Sequence, residues 1–326
     1  MRFTPRMPIP AFAVQDARWV RSTGFALGQI SSSLVRGHGD AHPLQGANAM
    51  SPIIVATDLN PESDLALSRA SAIARELDAP LIVMHTVDDQ LPLLARDNVC
   101  KETRRLLEDQ LSRCVPDSSV HTQLIVSPGR VAESTLRLVS EERAQLLVLG
   151  KHHQRSPERV VYTTAERVSR LSCAPVLTVA TAGGKYQSAL LALDFSACAS
   201  EALRCAARLL DGGRLHALHV CNPPLAKRLA GPAVQRAYID EQSEMLDYLL
   251  KDELETLKLI GTTAPQIELQ ITCGEMREQF DQAIAQFSPG FVALGSHSRD
   301  GLTHALRGSL AQALLRDSPC DVLIAH

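Results

Sequence analysis

The loop after the fourth predicted strand of the C-terminal half carries residues suited to binding an anion. It reads ALGSHSRDGLTHALRGSL, in which Gly295 follows the strand and Gly308 and Ser309 directly precede a helix. Glycines let backbone N–H groups approach a ligand closely, and a helix N-terminus adds unpaired donors with partial positive charge. Ser309 suits a hydroxyl contact to a phosphate or a simple N-cap. The spacing predicts a phosphate-binding loop, with an ordinary loop and a capped helix as the alternative.

A carboxylate is predicted at the same edge of the sheet. Asp194 follows the first strand of this half in the segment LALD, and open parallel sheets bind ligands beyond the carboxyl ends of their strands. An acidic acceptor there suits an adenine amino group or a ribose hydroxyl, whereas the alternative is an Asp that only forms a turn. Neither half has G-x-G-x-x-G after its first strand, which argues against an NAD(P) oxidoreductase.

Short apolar runs alternate with amphipathic stretches from residue 51 onward. This alternation predicts the α/β class, with parallel strands and helices on both faces of the sheet. The predicted strands are 53–57, 81–86, 120–126, 146–149 and 176–179, then 189–193, 215–220, 266–272, 291–294 and 322–325. The predicted helices lie near 63–77, 101–114, 131–143 and 164–172, then near 199–210, 233–258, 276–286 and 309–316.

The two halves repeat each other. At offsets of 134 to 146 residues, Asp58 aligns with Asp194, His85 with His219, Gly129 with Gly274, Gly150 with Gly295, and Val176 with Val322. Five landmarks in one order predict an internal duplication, with domains at 50–182 and 186–326. The last strand of each copy is an apolar edge candidate, and such edges seek partners. We therefore expect the copies to pair within the chain.

The run LGSHSRDGLTHALRGSLAQALLRDSPCDVLIA resembles the C-terminal signature of universal stress proteins, G-x2-G-x9-G-[S/T] followed by a short helix and the last strand. With VATD, LALD and LHV, the resemblance covers residues 51–326 twice. It implies two tandem Rossmann-like domains of the adenine nucleotide alpha hydrolase type, each with a five-stranded parallel sheet. It also implies a role in stress survival, ATP binding in some members and no defined catalysis. An intrachain pseudo-dimer is expected, with a homodimer as the alternative, and protein partners are not identified.

The resemblance also implies which residues of the second copy contact the nucleotide. They are Ala192, Asp194, Val220, Leu294, Gly295, Ser298, Gly308, Ser309 and Leu310. Ser298 stands where the family pattern has its second glycine. A serine in the left-handed region costs roughly 1–2 kcal/mol, so the loop is weakened but not excluded. Nothing in the pattern requires a metal ion.

The first copy departs further from the pattern. Its loop is one residue shorter, so Tyr162 stands opposite Gly308 and Thr163 opposite Ser309. A tyrosine prevents the close backbone approach that a glycine allows. Asp58 is retained, but the phosphate end is predicted to be lost. We therefore expect one nucleotide per chain, in the second copy.

Residues 1–49 differ from the rest of the chain. They hold five arginines and two aspartates and show neither a helical nor a strand period, which predicts a disordered extension. An alternative is that translation starts at Met50. A secretory leader is a weaker interpretation, because the short apolar segment contains two prolines.

Charge and composition limit the kinds of partner and the cellular location that the sequence predicts. A net charge of −3 gives no basic field for nucleic acid or an anionic membrane, and no apolar run approaches the roughly 18 residues of a membrane helix. The eight cysteines are scattered without a C-x-x-C, which predicts a reduced, cytoplasmic protein.

Three functions are compatible with these features. The first is a stress-response protein whose second copy binds an adenine nucleotide in a regulatory role. The second is a scaffold that acts through protein partners and binds no nucleotide. The third is an enzyme, either a slow ATP hydrolase or a nucleotidyl transferase, although no general base or phosphate-reaching lysine is placed by the sequence. The loop favours the first.

Overall fold

In the computed structural model of the chain, residues 51–115, 119–151, 163–296 and 309–326 are described, without the side chains of Leu93, Leu94 and Ser309. The first copy contains β1 (Ile53–Ala56), α1 (Pro61–Glu76), β2 (Leu81–Val87), α2 (Leu93–Cys114), β3 (Thr122–Pro128), α3 (Val131–Glu141), β4 (Leu146–Gly150), α4 (Thr164–Leu171) and β5 (Val176–Val179). The second contains β6 (Ser188–Ala192), α5 (Ala197–Leu210), β7 (Arg214–Cys221), α6 (Leu225–Leu229), α7 (Pro232–Leu259), β8 (Gln266–Cys273), α8 (Met276–Phe287), β9 (Phe291–Gly295), α9 (Ser309–Asp317) and β10 (Asp321–Ala325). Residues 1–49 lie outside the described residues.

The elements follow the predicted alternation, with three main differences. Helix α2 begins at Leu93, eight residues before the predicted start near 101. Strand β3 begins at Thr122 rather than at Val120, because Val120 packs into the core before the strand ladder starts. The short helix α6, which follows Pro224, was not predicted because five residues are too few to show a helical period. The long helix predicted over 233–258 is α7.

The sheet has ten strands in the order β3-β2-β1-β4-β5-β10-β9-β6-β7-β8. Within each copy all neighbouring strands are parallel, and the chain runs outward from the copy's first strand in both directions. This is the doubly wound arrangement, which confirms the predicted fold class. Its crevice lies beyond the carboxyl ends of the first and fourth strands, where the strand order reverses.

The two copies join through their last strands. Strand β5 pairs antiparallel with β10, with Leu177 opposite Leu323. Each strand is fully buried, so neither is left as an exposed edge. The pairing within the chain that the apolar strands predict is therefore present.

A buried ionic cluster reinforces this junction. The Asp321 carboxylate is fully buried and accepts the N–H groups of Ala180 at 2.9 Å and Thr181 at 3.0 Å, together with the hydroxyl of Tyr186. Arg69 lies 3.4 Å from the same carboxylate and 4.2 Å from the centre of the Tyr186 ring. A buried carboxylate is costly unless it is paired and hydrogen-bonded. The cluster therefore fixes the segment between the copies to both of them.

The two faces of the sheet bury their cores differently. The face covered by α1, α2, α5 and α7 holds one hydrophobic cluster that runs across both copies. The opposite face holds one cluster for each copy, under α3 and α4 in the first and under α8 and α9 in the second. Side chains alternate between these faces along each strand, as Leu190 and Leu191 do in β6.

None of the helices within the described ranges combines the length and apolar character needed to cross a bilayer. Those same ranges contain no group of three or more His, Cys, Asp or Glu side chains arranged to hold a metal ion.

Candidate functional site

The predicted site residues lie at one edge of the sheet. Strand β6 pairs with both β7 and β9, so the carboxyl ends of these three strands are adjacent. Asp194 follows β6, Val220 is near the end of β7, and Gly295 ends β9. The same arrangement recurs in the first copy, where β1 lies between β2 and β4.

A histidine holds the end of the first strand in each copy. Nδ1 of His219 lies 2.8 Å from the carbonyl oxygen of Leu193, and Nδ1 of His85 lies 2.8 Å from that of Thr57. A carbonyl oxygen only accepts, so Nδ1 carries the hydrogen in both rings. Because Leu193 directly precedes Asp194, the hydrogen bond helps to position the acidic turn. The repeated histidine is therefore a positioning residue.

The two acidic residues are engaged to different degrees. Both oxygens of Asp58 accept hydrogen bonds, from the backbone and side chain of Asn60 and from the hydroxyl of Ser63. The described hydrogen bond to Asp194 comes from the backbone N–H of Ser196 and uses Oδ1 at 2.8 Å. Both aspartates thus form turns. Asp58 has more of its acceptor capacity taken by its own loop.

The glycine that ends the fourth strand is required by packing. A Cβ on Gly295 would lie 2.7 Å from the backbone carbon of Cys198, in the first turn of α5. A Cβ on Gly150 would lie 2.9 Å from the carbonyl oxygen of Glu62, in the first turn of α1. Contacts this short are not tolerated by a real side chain. The helix after each copy's first strand therefore needs a glycine here, whether or not a ligand binds.

Four apolar residues of the predicted site lie on the face of the sheet that α8 and α9 cover, opposite to the face that α5 covers. Leu294 and Leu310 are buried in the cluster under α8 and α9, and Ala192 and Val220 pack against it. Ser309 begins α9, while Ser298 and Gly308 lie outside the described residues.

The first copy contains a cavity of about 230 Å³ at the corresponding place. Its lining includes the counterparts of six predicted second-copy residues: Ala56, Asp58, Thr86, Leu149, Gly150 and Thr164. Thr86 Oγ1 is buried and has no hydrogen-bond partner among the described residues. The cavity is smaller than the roughly 300–1,000 Å³ of typical drug-sized sites. Sequence reasoning recognised that Asp58 is retained but did not predict this cavity.

The helix that follows the first copy's loop is capped by its own side chains. Thr163 Oγ1 accepts the N–H of Glu166 at 3.1 Å, and the Glu166 carboxylate accepts the N–H of Thr163 at 2.7 Å. This is a capping box, and its sequence signature T-x-x-E was present but not used. Because the Glu166 side chain is 1% exposed, a buried negative charge occupies the helix end that a phosphate would need.

The lysine at the start of the first copy's loop also has its hydrogen-bond partner outside the candidate site. Lys151 directly follows Gly150, and its Nζ donates to the carbonyl oxygen of Ser318 in the second copy at 2.8 Å. Burial lowers the pKa of Lys151 from its usual value. The ammonium group therefore stabilises the junction between the copies.

Comparison with known proteins places this geometry in a family. The sequence model of the universal stress protein family matches the chain twice, over residues 50–180 and 185–326. No curated protein matches the chain.

Two solved structures with TM-scores above 0.5 show the same fold. A universal stress protein from Archaeoglobus fulgidus DSM 4304 is 17% identical, with 84% of this chain and 98% of that one covered and a TM-score of 0.62. A protein from Pseudomonas aeruginosa UCBPP-PA14 described as a universal stress protein is 18% identical, covers 85% and 93%, and has a TM-score of 0.52. A universal stress protein in complex with cAMP is 23% identical, over 41% and 98%, with a TM-score of 0.34. The two family matches cover most of the chain, and the chain therefore belongs to the universal stress protein family as a tandem two-domain member.

Proposed function

We propose that this chain is a stress-response protein whose second copy binds an adenine nucleotide, ATP in the first instance, in a regulatory and non-catalytic role. The adenine and ribose would lie at the carboxyl edge of β6, β7 and β9, near Asp194 and against Val220 and Leu294. The phosphates would lie toward Gly308, Ser309 and the N-terminus of α9. We propose a cytoplasmic location and protein partners that respond to the bound nucleotide.

The observation that carries this proposal is the difference between the two helix ends. In the first copy Glu166 fills the N-terminus of α4 with a buried carboxylate. The aligned residue of the second copy is Gln312, which is uncharged. Ser309 begins α9, and Gly308 directly precedes it. An anion is favoured at a helix N-terminus and repelled by a fixed negative charge there. The phosphates are therefore assigned to the second copy.

Calorimetric titration with ATP tests the assignment. The wild-type chain should bind one ATP. Gly308→Glu should abolish binding, because the side chain fills the phosphate position and adds a negative charge. Asp194→Ala should weaken binding by about 1–2 kcal/mol, since one charged hydrogen bond is lost.

Tyr162→Gly serves as the matched control in the first copy. It restores a glycine opposite Gly308 but leaves the loop one residue short and Glu166 in place, so the stoichiometry should stay at one. Two ATP per chain, or binding unchanged by Gly308→Glu, would contradict the proposal. No binding up to millimolar ATP would favour a scaffold without nucleotide.

The cavity in the first copy supports a second candidate activity, which is binding of a small molecule without phosphates. Its size suits a nucleobase or nucleoside, and its lining includes the polar residues Asp58 and Thr164. Glu166 disfavours a phosphate chain but not a neutral ligand. We propose that adenosine binds this cavity more readily than ATP does.

Two equivalent alanines allow the candidates to be separated. Ala56 ends β1 and lines the cavity, and Ala192 ends β6 at the matching place. Ala56→Leu should remove adenosine binding to the first copy and leave ATP binding intact. Ala192→Leu should have the opposite effect. If Ala56→Leu leaves adenosine binding unchanged, the cavity is not the site.

A further inference from the structure

The two outer strands of the second copy end in a pair of adjacent cysteines. Cys221 ends β7 and Cys273 ends β8, and the two residues are aligned partners in the parallel ladder. Their sulfur atoms are 2.6 Å apart. A disulfide bond measures about 2.05 Å, so a small movement of the side chains would complete it. Their separation of 52 positions concealed this relationship in the sequence.

The two thiols have different access to solvent. Cys221 is 2% exposed, whereas Cys273 is exposed. Burial and the hydrogen bond with Cys273 raise the pKa of Cys221 to about 12. Cys221 is therefore kept as the thiol. Cys273 is the sulfur that a soluble oxidant can reach.

The first copy provides an internal comparison. The aligned pair at the ends of β2 and β3 is Val87 and Pro128, in the same register. In each pair the member on the outer strand, Pro128 or Cys273, directly precedes a glycine with positive φ, Gly129 or Gly274. The backbone at this position is thus the same in both copies, although the first copy has no cysteines there. The sulfur pair is an addition specific to the second copy and is not required by the fold.

We propose that Cys221 and Cys273 form a peroxide-sensitive dithiol that closes to an intramolecular disulfide between the ends of β7 and β8. The inference stands on the register and exposure of the two residues and does not depend on nucleotide binding. It extends the prediction of scattered, reduced cysteines, because two of them are a potential pair.

The proposed oxidant is a hydroperoxide, with hydrogen peroxide as the simplest member. The Cys273 thiolate attacks the terminal peroxide oxygen, an S–O bond forms, the O–O bond breaks and water leaves after protonation. The Cys221 sulfur then attacks the Cys273 sulfenic acid. An S–S bond forms as the S–O bond breaks, and the Cys221 proton leaves with the hydroxyl group as a second water. Two thiols are oxidised by two electrons, and the peroxide is reduced to two waters.

Peptide mapping tests the proposal on the full chain. The reduced protein is treated with a small excess of hydrogen peroxide, free thiols are alkylated, and the protein is digested with trypsin without reductant. Cleavage after Arg214, Lys227, Lys258 and Arg277 yields peptides 215–227 and 259–277, each with one cysteine. The expected product is these two peptides joined with the loss of two hydrogens, and a phosphine reductant should separate them. The same oxidation in denaturant should yield mixed pairings instead.

Two variants test the order of events. In Cys221→Ser the sulfenic acid on Cys273 has no partner, so labelling of Cys273 by dimedone should rise from background to a major product. Cys173→Ser removes another exposed cysteine and should leave the linked peptides unchanged. The proposal is overturned if the folded wild-type chain yields no linked peptides 215–227 and 259–277. It is also overturned if the pair forms no more readily in the folded chain than in the denatured one.

Discussion

Glu166 of the first copy and Arg316 of the second form an ion pair across the junction, with 2.8 Å between Oε1 and Nε. The second oxygen of Glu166 accepts the N–H of Thr163. One carboxylate therefore caps α4 and connects it to α9. The residue that caps this helix end also holds the two copies together.

Removing the arginine should destabilise the chain. In Arg316→Ala the buried Glu166 carboxylate keeps its helix cap but loses its cation, which should lower the free energy of unfolding by about 1–3 kcal/mol. Urea denaturation measures the change. Arg277→Ala is the matched control, because Arg277 pairs at the same 2.8 Å with Asp281, whose carboxylate is exposed rather than buried. The control should lose no more than about 0.5 kcal/mol. Equal losses in the two variants would contradict this role for Glu166.

The hydroxyl of Tyr186 should stabilise the segment between the copies. Tyr186→Phe leaves the ring under Arg69 but removes the donor to the buried Asp321 carboxylate. We expect a loss of about 1–3 kcal/mol in the free energy of unfolding, since a hydrogen bond to a charged group is lost. Tyr248→Phe, at an exposed position on α7, should have almost no effect in the same denaturation experiment. A loss below about 0.5 kcal/mol in Tyr186→Phe would show that the hydrogen bond contributes little.

Gly295→Ala should destabilise the chain even without a nucleotide. The added Cβ would lie 2.7 Å from the Cys198 backbone, and overpacking of this kind typically costs about 1–3 kcal/mol. Gly184→Ala provides the contrast, because nothing lies within 4 Å of a Cβ there. That control should be neutral or stabilised by up to about 1 kcal/mol. Thermal denaturation of both variants without ligand separates the packing requirement from ligand binding. A Gly295→Ala variant as stable as wild type would mean that α5 moves to admit the methyl group.

Alkaline pH should weaken the fold through Cys205. Burial raises the pKa of this thiol from 9.0 to about 12 in the folded chain. The stability associated with the neutral thiol is complete below pH 9 and is lost as the pH rises from there toward 12, because the unfolded chain ionises first. At pH 10 the loss should be about 1 kcal/mol.

Cys205→Ala should show this loss directly. The stability difference between wild type and Cys205→Ala, measured in urea with reductant present, should shift in favour of the variant by that amount between pH 7 and pH 10. Cys173→Ala, at an exposed position, should differ from wild type equally at both pH values. A pH-independent difference for Cys205→Ala would refute the assignment.

Much of the fold could be predicted because its evidence is local or repeated. Apolar runs such as 53–57 and 146–149 indicate strands that are buried on both faces of a parallel sheet. The recurrence of His85 at His219 and of Gly150 at Gly295 revealed the duplication. Pairing of the last strands followed from their apolar composition. These features depend on residues near one another or on fixed offsets, so a single sequence is enough to reveal them.

The candidate site was predictable to a smaller extent. The strand order predicts that Asp194 and the apolar residues near it lie at the edge of the sheet. The packing role of Gly295, however, depends on how closely α5 approaches β9. The first-copy cavity depends on the space left between side chains of β1, β2, β4 and α4. Neither the approach of α5 to β9 nor the size of the cavity is encoded by the spacing of residues along the chain.

The sequence by itself determined the fold class, the duplication and the edge of the sheet where a ligand would bind, because periodicity and repetition are one-dimensional properties. Tertiary structure decided which groups meet across long separations. It placed the Glu166 carboxylate on both the α4 terminus and Arg316, and it brought the sulfurs of Cys221 and Cys273 to 2.6 Å. The physical reason is that strand register and helix packing set these contacts, and both emerge only when distant segments bury their apolar surfaces together.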